Sequence, residues 1–388
     1  MRKIQETEIS GKKILVRVDY NIPIQNGVIS NNERIIASLE TIKYLLNHGA
    51  AVVLCSHLGR PEGRPNPLYS LRPVARELEK LIKKNVQFID DCVGDEKDNK
   101  VASLKSGEII LLENLRFHPE EESNNSEFAK KLAIGCDIYV NDAFSASHRE
   151  HASIVSITKD LPSFAGVYLQ KEIENLSKVL LEPKRPFVLV MGGAKTVDKI
   201  PLIENMITKI DTLILGGAIA NTFLAAKGYR LGKSVVEPES IDLIKKVLVE
   251  TRDNNVKILL PEDCLVGEST FTPNGEEKPI NQVNENEMVL DIGSTSISNF
   301  AESFKFAETI FWNGPMGYTE TSAFANGTKR VGQAIANSNA FSVIGGGDTI
   351  AALNNEVKAK YSYVSMAGGA SLEFLSGKKL PGIVVLES

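Results

Sequence analysis

The chain has 388 residues, 43% of them hydrophobic and 24% charged, with Lys+Arg 44 against Asp+Glu 49 and a net charge of -5. That length supports about two or three domains, and the mildly acidic balance excludes a bulk cationic footprint for nucleic acid. No apolar stretch reaches the roughly 18 residues of a membrane helix. The opening MRKIQETEIS lacks the apolar centre of a signal peptide, so the expectation is a soluble, cytoplasmic protein.

In chain order, strand-like apolar runs fall at 14–18, 51–55, 109–112 and 137–140. They are rich in Ile, Val and Leu without polar alternation, as in strands covered on both faces. Helical patterns lie between them at 33–47 and 70–84, the second with Ser70 as its expected N-cap. An amphipathic stretch at 170–181, closed by Glu182-Pro183-Lys184-Arg185-Pro186, suits a hinge helix between two lobes. Further runs follow at 187–190, 212–215, 257–260, 288–291, 309–312, 341–344 and 361–365. This alternation predicts an α/β fold of parallel sheets with helices on both faces.

Residue types are unevenly shared. All five histidines fall in the first 151 residues, whereas 20 of the 29 glycines fall at or after Gly192. In the second half, strands end in small-residue turns: Gly192-Gly193-Ala194-Lys195, Gly216-Gly217-Ala218, Asp291-Ile292-Gly293, Asn313-Gly314-Pro315, Gly345-Gly346-Gly347-Asp348-Thr349 and Ala367-Gly368-Gly369. Glycine admits close backbone approach, and the helix behind each turn offers unpaired N–H groups to an anion. These turns point to a phosphate or nucleotide crevice. Lys195 is placed to reach a phosphate, and Asp348 to hold hydrated Mg2+ or to cap its helix. Gly228–Ser234 (GYRLGKS) is no P-loop, having three residues between its glycines where four are needed.

The first half places Asp19 and Asn21, then Ser56-His57-Leu58-Gly59-Arg60, then Arg116, then His148-Arg149-Glu150-His151 after its strand-like runs, with Arg34 opening a helix. In a parallel sheet these groups gather at one edge as a cationic basket for a ligand bearing carboxylate and phosphate. For His148 and His151, anion binding, a metal site and plain hydrogen bonding all remain open. The cysteines Cys55, Cys92, Cys136 and Cys264 have no C-x-x-C spacing, as expected of free thiols in a reducing compartment.

The segments RVDYNIP, SHLGRPEG, LLENLRFHPEEE, NDAFSASHREHAS, VMGGAKTVDKI, ILGGAIANTFL, FWNGPMGYTE, GGGDT and GGASLEFLSGKKLPG, in order from about Lys13 to Ile383, closely resemble phosphoglycerate kinase. The resemblance implies two Rossmann-like lobes: 1–168 with 376–388 for the glycerate ligand, and 186–375 for the nucleotide, joined by a hinge helix at 169–185. It implies reversible phosphoryl transfer between 1,3-bisphosphoglycerate and MgADP by a monomer. The glycerate ligand would be held by Asp19, Asn21, Arg34, His57, Leu58, Gly59, Arg60, Arg116 and Arg149. The nucleotide would be held by Lys195, Gly293, Glu320, Gly346, Gly347, Asp348 and Thr349, with Glu320 at the ribose and Asp348 at Mg2+. Arg34, Lys195 and N–H groups near Gly345 and Gly368 would stabilise the transferring group. A catalytically weakened relative kept for binding is the alternative, although Arg34, Lys195, Glu320 and Asp348 are all present. Met366-Ala367, Ser145, Glu150 and Glu40 depart from the family pattern, and Glu150 is expected to face solvent.

Overall fold

The computed structural model describes residues 1–387. The chain divides into two compact units, one of Met1–Glu174 together with Lys379 and the residues after it, the other of Asn175–Lys378. Among the described residues, no helix is long and apolar enough to cross a membrane.

Unit 1 is built on strands β1 (Lys13–Arg17), β2 (Ala51–Cys55), β3 (Val86–Ile89), β4 (Ile109–Leu112), β5 (Ile138–Asn141) and β6 (Ser163–Ala165). They form one parallel sheet in the order β3-β4-β2-β1-β5-β6. Alternate side chains of β1 enter different cores: Ile14 and Val16 pack on one face, Leu15 on the other. Both faces are therefore dry, which is why these runs show no polar alternation. Strands β3 and β6 lack an apolar run long enough to be read from sequence.

The helix expected at 70–84 spans Arg72–Ile82 with Leu71 at its N-cap position. Ser70 stands one residue earlier, where its hydroxyl accepts from Arg72 N at 3.2 Å and donates to Glu113 at 2.6 Å. Glu113 comes from the end of β4, so a tertiary partner draws Ser70 out of the capping position. The segment from Lys379 returns to unit 1: Arg2 N donates to Leu386 O at 2.8 Å and Gly382 N to Ser147 O at 2.9 Å.

Unit 2 carries β7 (Phe187–Met191), β8 (Thr212–Leu215) and β9 (Lys257–Leu259), then β10 (Asp263–Gly267), β11 (Glu276–Pro279) and β12 (Met288–Ile292), then β13 (Thr309–Asn313), β14 (Phe341–Gly345) and β15 (Tyr363–Val364). The parallel sheet runs β9-β8-β7-β13-β14-β15. A separate antiparallel sheet, β11-β10-β12, departs from the all-parallel expectation and takes the run at 288–291 into it. Strand β11 reads Glu-Glu-Lys-Pro and is mostly exposed, so no hydrophobic pattern announces it.

The helix expected at 170–181 spans Val167–Leu180. Its early start has a tertiary cause: Asp142 Oδ1 accepts from Tyr168 N at 3.1 Å and Leu169 N at 3.2 Å. Asp142 is buried, and desolvation pushes its carboxyl up to about 7. The unit boundary falls between Glu174 and Asn175, inside this helix.

Candidate functional site

In unit 1 the parallel register sets the ends of β2, β1 and β5 side by side, Arg17 pairing with Cys55 and with Asn141. The loops that follow carry the expected basic groups. Arg17 itself, which the sequence reading left out, is fully buried beneath them. Its Nε donates to Ser153 Oγ at 2.9 Å, Nη1 to the Val18 carbonyl, and Nη2 to His57 Nδ1 at 3.0 Å. Ser153 in turn donates to Glu121 Oε1 at 2.6 Å.

A guanidinium can only donate, so His57 Nδ1 must accept and the ring proton sits on Nε2. Burial, reinforced by Arg17, Arg116 and Arg149, holds the His57 pKa well below its ordinary value. The ring is thus a neutral donor of known tautomer. Its signal is invisible in sequence because Arg17, Glu121 and Ser153 are far apart along the chain.

Asp19 pairs with Arg34 at 2.7 Å, and Arg34 also donates to Asn21 O at 2.9 Å. Asn21 Oδ1 accepts from Gly59 N at 2.9 Å. Asn114 clamps the other side of that loop, accepting from Leu58 N at 3.2 Å and donating to Leu58 O at 2.7 Å. Arg116 donates to Gly59 O at 2.7 Å and pairs with Glu122 at 2.9 Å, while its buried Nε has no partner. Arg60 is exposed and Arg149 half-buried.

His148 Nε2 accepts from Arg149 Nε at 3.2 Å, whereas His151 Nδ1 lies 3.7 Å from Glu121, beyond hydrogen-bond reach. Burial, then Arg17, lowers His151 to about 3. Among the described residues, the pair takes no part in a group able to hold a metal. Ser145 donates to Asp19, and Glu150 is exposed.

In unit 2 the turns after β7, β8 and β13 cross one another. Gly192 N donates to Asn313 O at 2.9 Å, Gly193 N to Pro315 O at 2.7 Å, and Gly217 N to Met316 O at 2.8 Å. A Cβ on Gly192 would collide with the carbonyl oxygens of Gly314 and Pro315, so that glycine serves packing. By contrast, a Cβ at Gly347, Gly368 or Gly369 would meet nothing within 4 Å. The glycine turns therefore divide into crossing points and turns with open backbone, a distinction composition cannot make.

Beside these turns lies a cleft of about 280 Å³, lined by Gly193, Gly217, Pro315 and Met316, by Val289 and Leu290 from β12, and by Asp291, Glu320 and Asp348. Asp348 is exposed in the first turn of the helix Gly347–Ala351, whose N-cap is Gly346 rather than Asp348. Thr349 is buried and accepts from Gly314 N at 2.8 Å. Lys195 is exposed. Lys199, missed in the sequence reading, is buried with Nζ on the Gly192 carbonyl, and desolvation lowers it to about 8. Asp291 is buried at the cleft and raised to about 7 by desolvation.

Gly293 lies outside the cleft lining. It caps the helix Ser294–Phe304, and a Cβ there would collide with the Asp263 carboxylate. Lys195, Gly345, Gly346, Gly347, Thr349 and Gly368 are likewise absent from the lining. Ala367 is buried, which removes its methyl from any exposed phosphate path.

One unit thus bears a cationic basket and the other a glycine-edged cleft with carboxylates, which together define an α/β protein of the phosphotransferase class. The Phosphoglycerate kinase family model matches residues 4–378. The chain is 49% identical over 386 residues to the phosphoglycerate kinase of Moorella thermoacetica, covering 99% of this chain and 98% of that protein. It is 46% identical over 388 residues to that of Pelotomaculum thermopropionicum, with 99% and 98% covered. Phosphoglycerate kinase from Coxiella burnetii superposes with a TM-score of 0.88 at 41% identity, covering 99% of this chain and 98% of that one. The Pyrococcus horikoshii enzyme gives 0.89 at 33%, with 100% and 98% covered. The chain belongs to the phosphoglycerate kinase family.

Proposed function

We propose that the two units divide the substrates of one reaction between them: the reversible transfer of a phosphoryl group between 1,3-bisphosphoglycerate and ADP in glycolysis. The observation that carries the division is the concentration of cationic side chains at the strand ends of unit 1. Arg34, His57, Arg60, Arg116 and Arg149, with Asp19, Asn21 and the Leu58-Gly59 backbone, would hold the glycerate ligand. Arginine forks match both its carboxylate and its phosphate. The Nε2–H of His57 adds a neutral donor that does not depend on protonation near pH 7.

The cleft of unit 2 would take ADP or ATP. Its apolar wall from Val289, Leu290 and Met316 suits a purine face, and Glu320 suits the ribose hydroxyls. The open turns at Gly346-Gly347 and Gly368 would offer N–H groups to phosphate. Asp348 fits Mg2+, since it is an exposed hard oxygen donor at the cleft, and such an ion needs only one or two carboxylates beside phosphate oxygens. When bound, that ion would neutralise phosphate charge. Lys195, exposed beside the turns, would follow the transferring group, while Lys199 holds the Gly192 crossing in place.

Transfer of this kind needs positioning and charge stabilisation more than covalent help. Arg34 and Lys195 come from different units, so closure around both substrates would complete the site and exclude water that would hydrolyse the acyl phosphate. The same reading has the enzyme act as a monomer in the cytoplasm, since both substrate sites lie on one chain. A coupled assay with 3-phosphoglycerate and MgATP tests it. Steady turnover is expected, and a folded wild-type protein without turnover overturns the reading in favour of a binding-only relative.

A further inference from the structure

Away from the basket, the ends of β3 and β4 bring together three side chains of different donor type. Asp91 and Cys92 follow β3 after Asp90, and His118 follows the turn Leu115–Phe117. One ligand atom from each lies within 4.8 Å of the other two. His118 Nε2 sits 2.7 Å from Asp91 Oδ1, and Cys92 N donates to that same oxygen at 2.6 Å. Cys92 is 1% exposed at the base of the group. His118 and Asp91 border an open cavity of about 430 Å³ that Asp90 and Glu113 also line. The His118 ring is steadied by Phe128, their centroids 5.3 Å apart.

We propose that Asp91, Cys92 and His118 form a Zn2+ site, with a fourth position open to the cavity. The donor set decides the metal: a thiolate with an imidazole suits Zn2+ and its spectroscopic stand-in Co2+, and disfavours Mg2+ and Ca2+. Zinc bonds of about 2.0–2.3 Å place tetrahedral donors about 3.5 Å apart, so the Asp91–His118 pair at 2.7 Å must open and the more distant donors must draw in, each by up to about 1 Å. On binding, the metal replaces the thiol proton of Cys92. It also takes the Nε2 lone pair of His118, whose remaining ring proton then resides on Nδ1. Any displaced proton leaves through the cavity to solvent.

Neighbouring charges do not block the site. Arg72 at the cavity is paired with Asp90, and both Glu113 oxygens are occupied by Ser70, Leu71 and Asn114. Loading would tie the loop after β3 to the turn that carries Arg116, two residues from His118. None of the three proposed ligands is among the groups assigned to either substrate.

The test is a Co2+ titration of the reduced full-length protein, followed by absorbance, with Zn2+ as competitor. One equivalent of Co2+ should give a thiolate-to-metal charge-transfer band that Zn2+ removes. Cys92→Ala should abolish the band and Cys136→Ala should keep it. His118→Gln, on the solvent side of the group, should weaken Co2+ and Zn2+ binding by about tenfold or more. Retained turnover in the coupled assay reports folding of each variant. Absence of the band in the wild type, its survival in Cys92→Ala, or an unchanged Co2+ affinity in His118→Gln, overturns the proposal and leaves Asp91 and His118 as a hydrogen-bonded pair only.

Discussion

On the proposed reading, the two units would meet anionic ligands by different means. Unit 1 presents side-chain donors, each held by a partner: the cations Arg34 and Arg116 by Asp19 and Glu122, and the neutral His57 by Arg17. Unit 2 presents backbone, with open turns at Gly347 and Gly368 and a lysine, Lys199, under the Gly192 carbonyl. Side-chain recognition demands many buried partners to orient each fork, and unit 1 accordingly holds a buried Arg17–Ser153–Glu121 chain. Backbone recognition instead demands that loops approach closely, which explains the crossing glycines. The first solution is sensitive to charge and the second to bulk.

Four substitutions bear on this contrast. Lys195→Ala should lower kcat by about 10²–10³-fold while leaving the KM for 3-phosphoglycerate nearly unchanged, because it removes charge stabilisation from the transferring group alone. Equal losses in both would end the division of labour between units. Gly192→Ala should destabilise unit 2 by about 3 kcal/mol or more through collision with the Gly314 and Pro315 carbonyls. Gly347→Ala should keep the melting temperature and weaken nucleotide binding by about tenfold, roughly 1.4 kcal/mol. A Gly347→Ala protein as unstable as Gly192→Ala would remove the distinction between crossing and open turns.

Arg116→Ala should raise the KM for 3-phosphoglycerate by about 10–100-fold, since it deletes a charge held at Gly59 O. The KM for ATP should stay within about twofold, because Arg116 is assigned to the other substrate. A comparable rise in both would show that the basket is not selective for one substrate.

A further effect concerns pH. Asp142 keeps its proton in the folded state up to about pH 7, against an ordinary value of 3.8. Between those values the folded state binds more protons than the unfolded one, so stability falls as pH rises from about 4 to about 7, by about 1 kcal/mol per unit. Asp142→Asn cannot ionise and should flatten that slope in urea midpoints measured across the window. An unchanged slope would shift the effect to Asp291, the matching buried carboxyl of unit 2.

Apart from β3 and β6, the longer parallel strands were legible because burial on both faces writes an uninterrupted apolar run, as in Ala51–Cys55 and Thr212–Leu215. Strand β11 was not, because an exposed edge places no hydrophobic demand on Glu276–Pro279. The basket residues were legible because most lie in the segment after a strand, whereas Arg34 opens a helix. Arg17 was not, since its place beneath His57 depends on pairing between β1 and β2. Lys199 escaped notice for a similar reason: only the crossing of the β7 and β13 turns brings its ammonium under Gly192. Glycine number pointed to the right unit yet overstated the ligand-facing turns, because a crossing glycine and an open one look alike in sequence.

The segment from Lys379 closes onto unit 1 through Arg2, Asn141 and Ser147, and this sets an order of events on the ribosome. The segment is made after the whole of unit 2, whose translation takes roughly 10–40 s at about 5–20 residues per second. Throughout that interval unit 1 has its sheet but lacks the strap over Ser147 and Ile154. Unit 1 is therefore begun before unit 2 and closed after it.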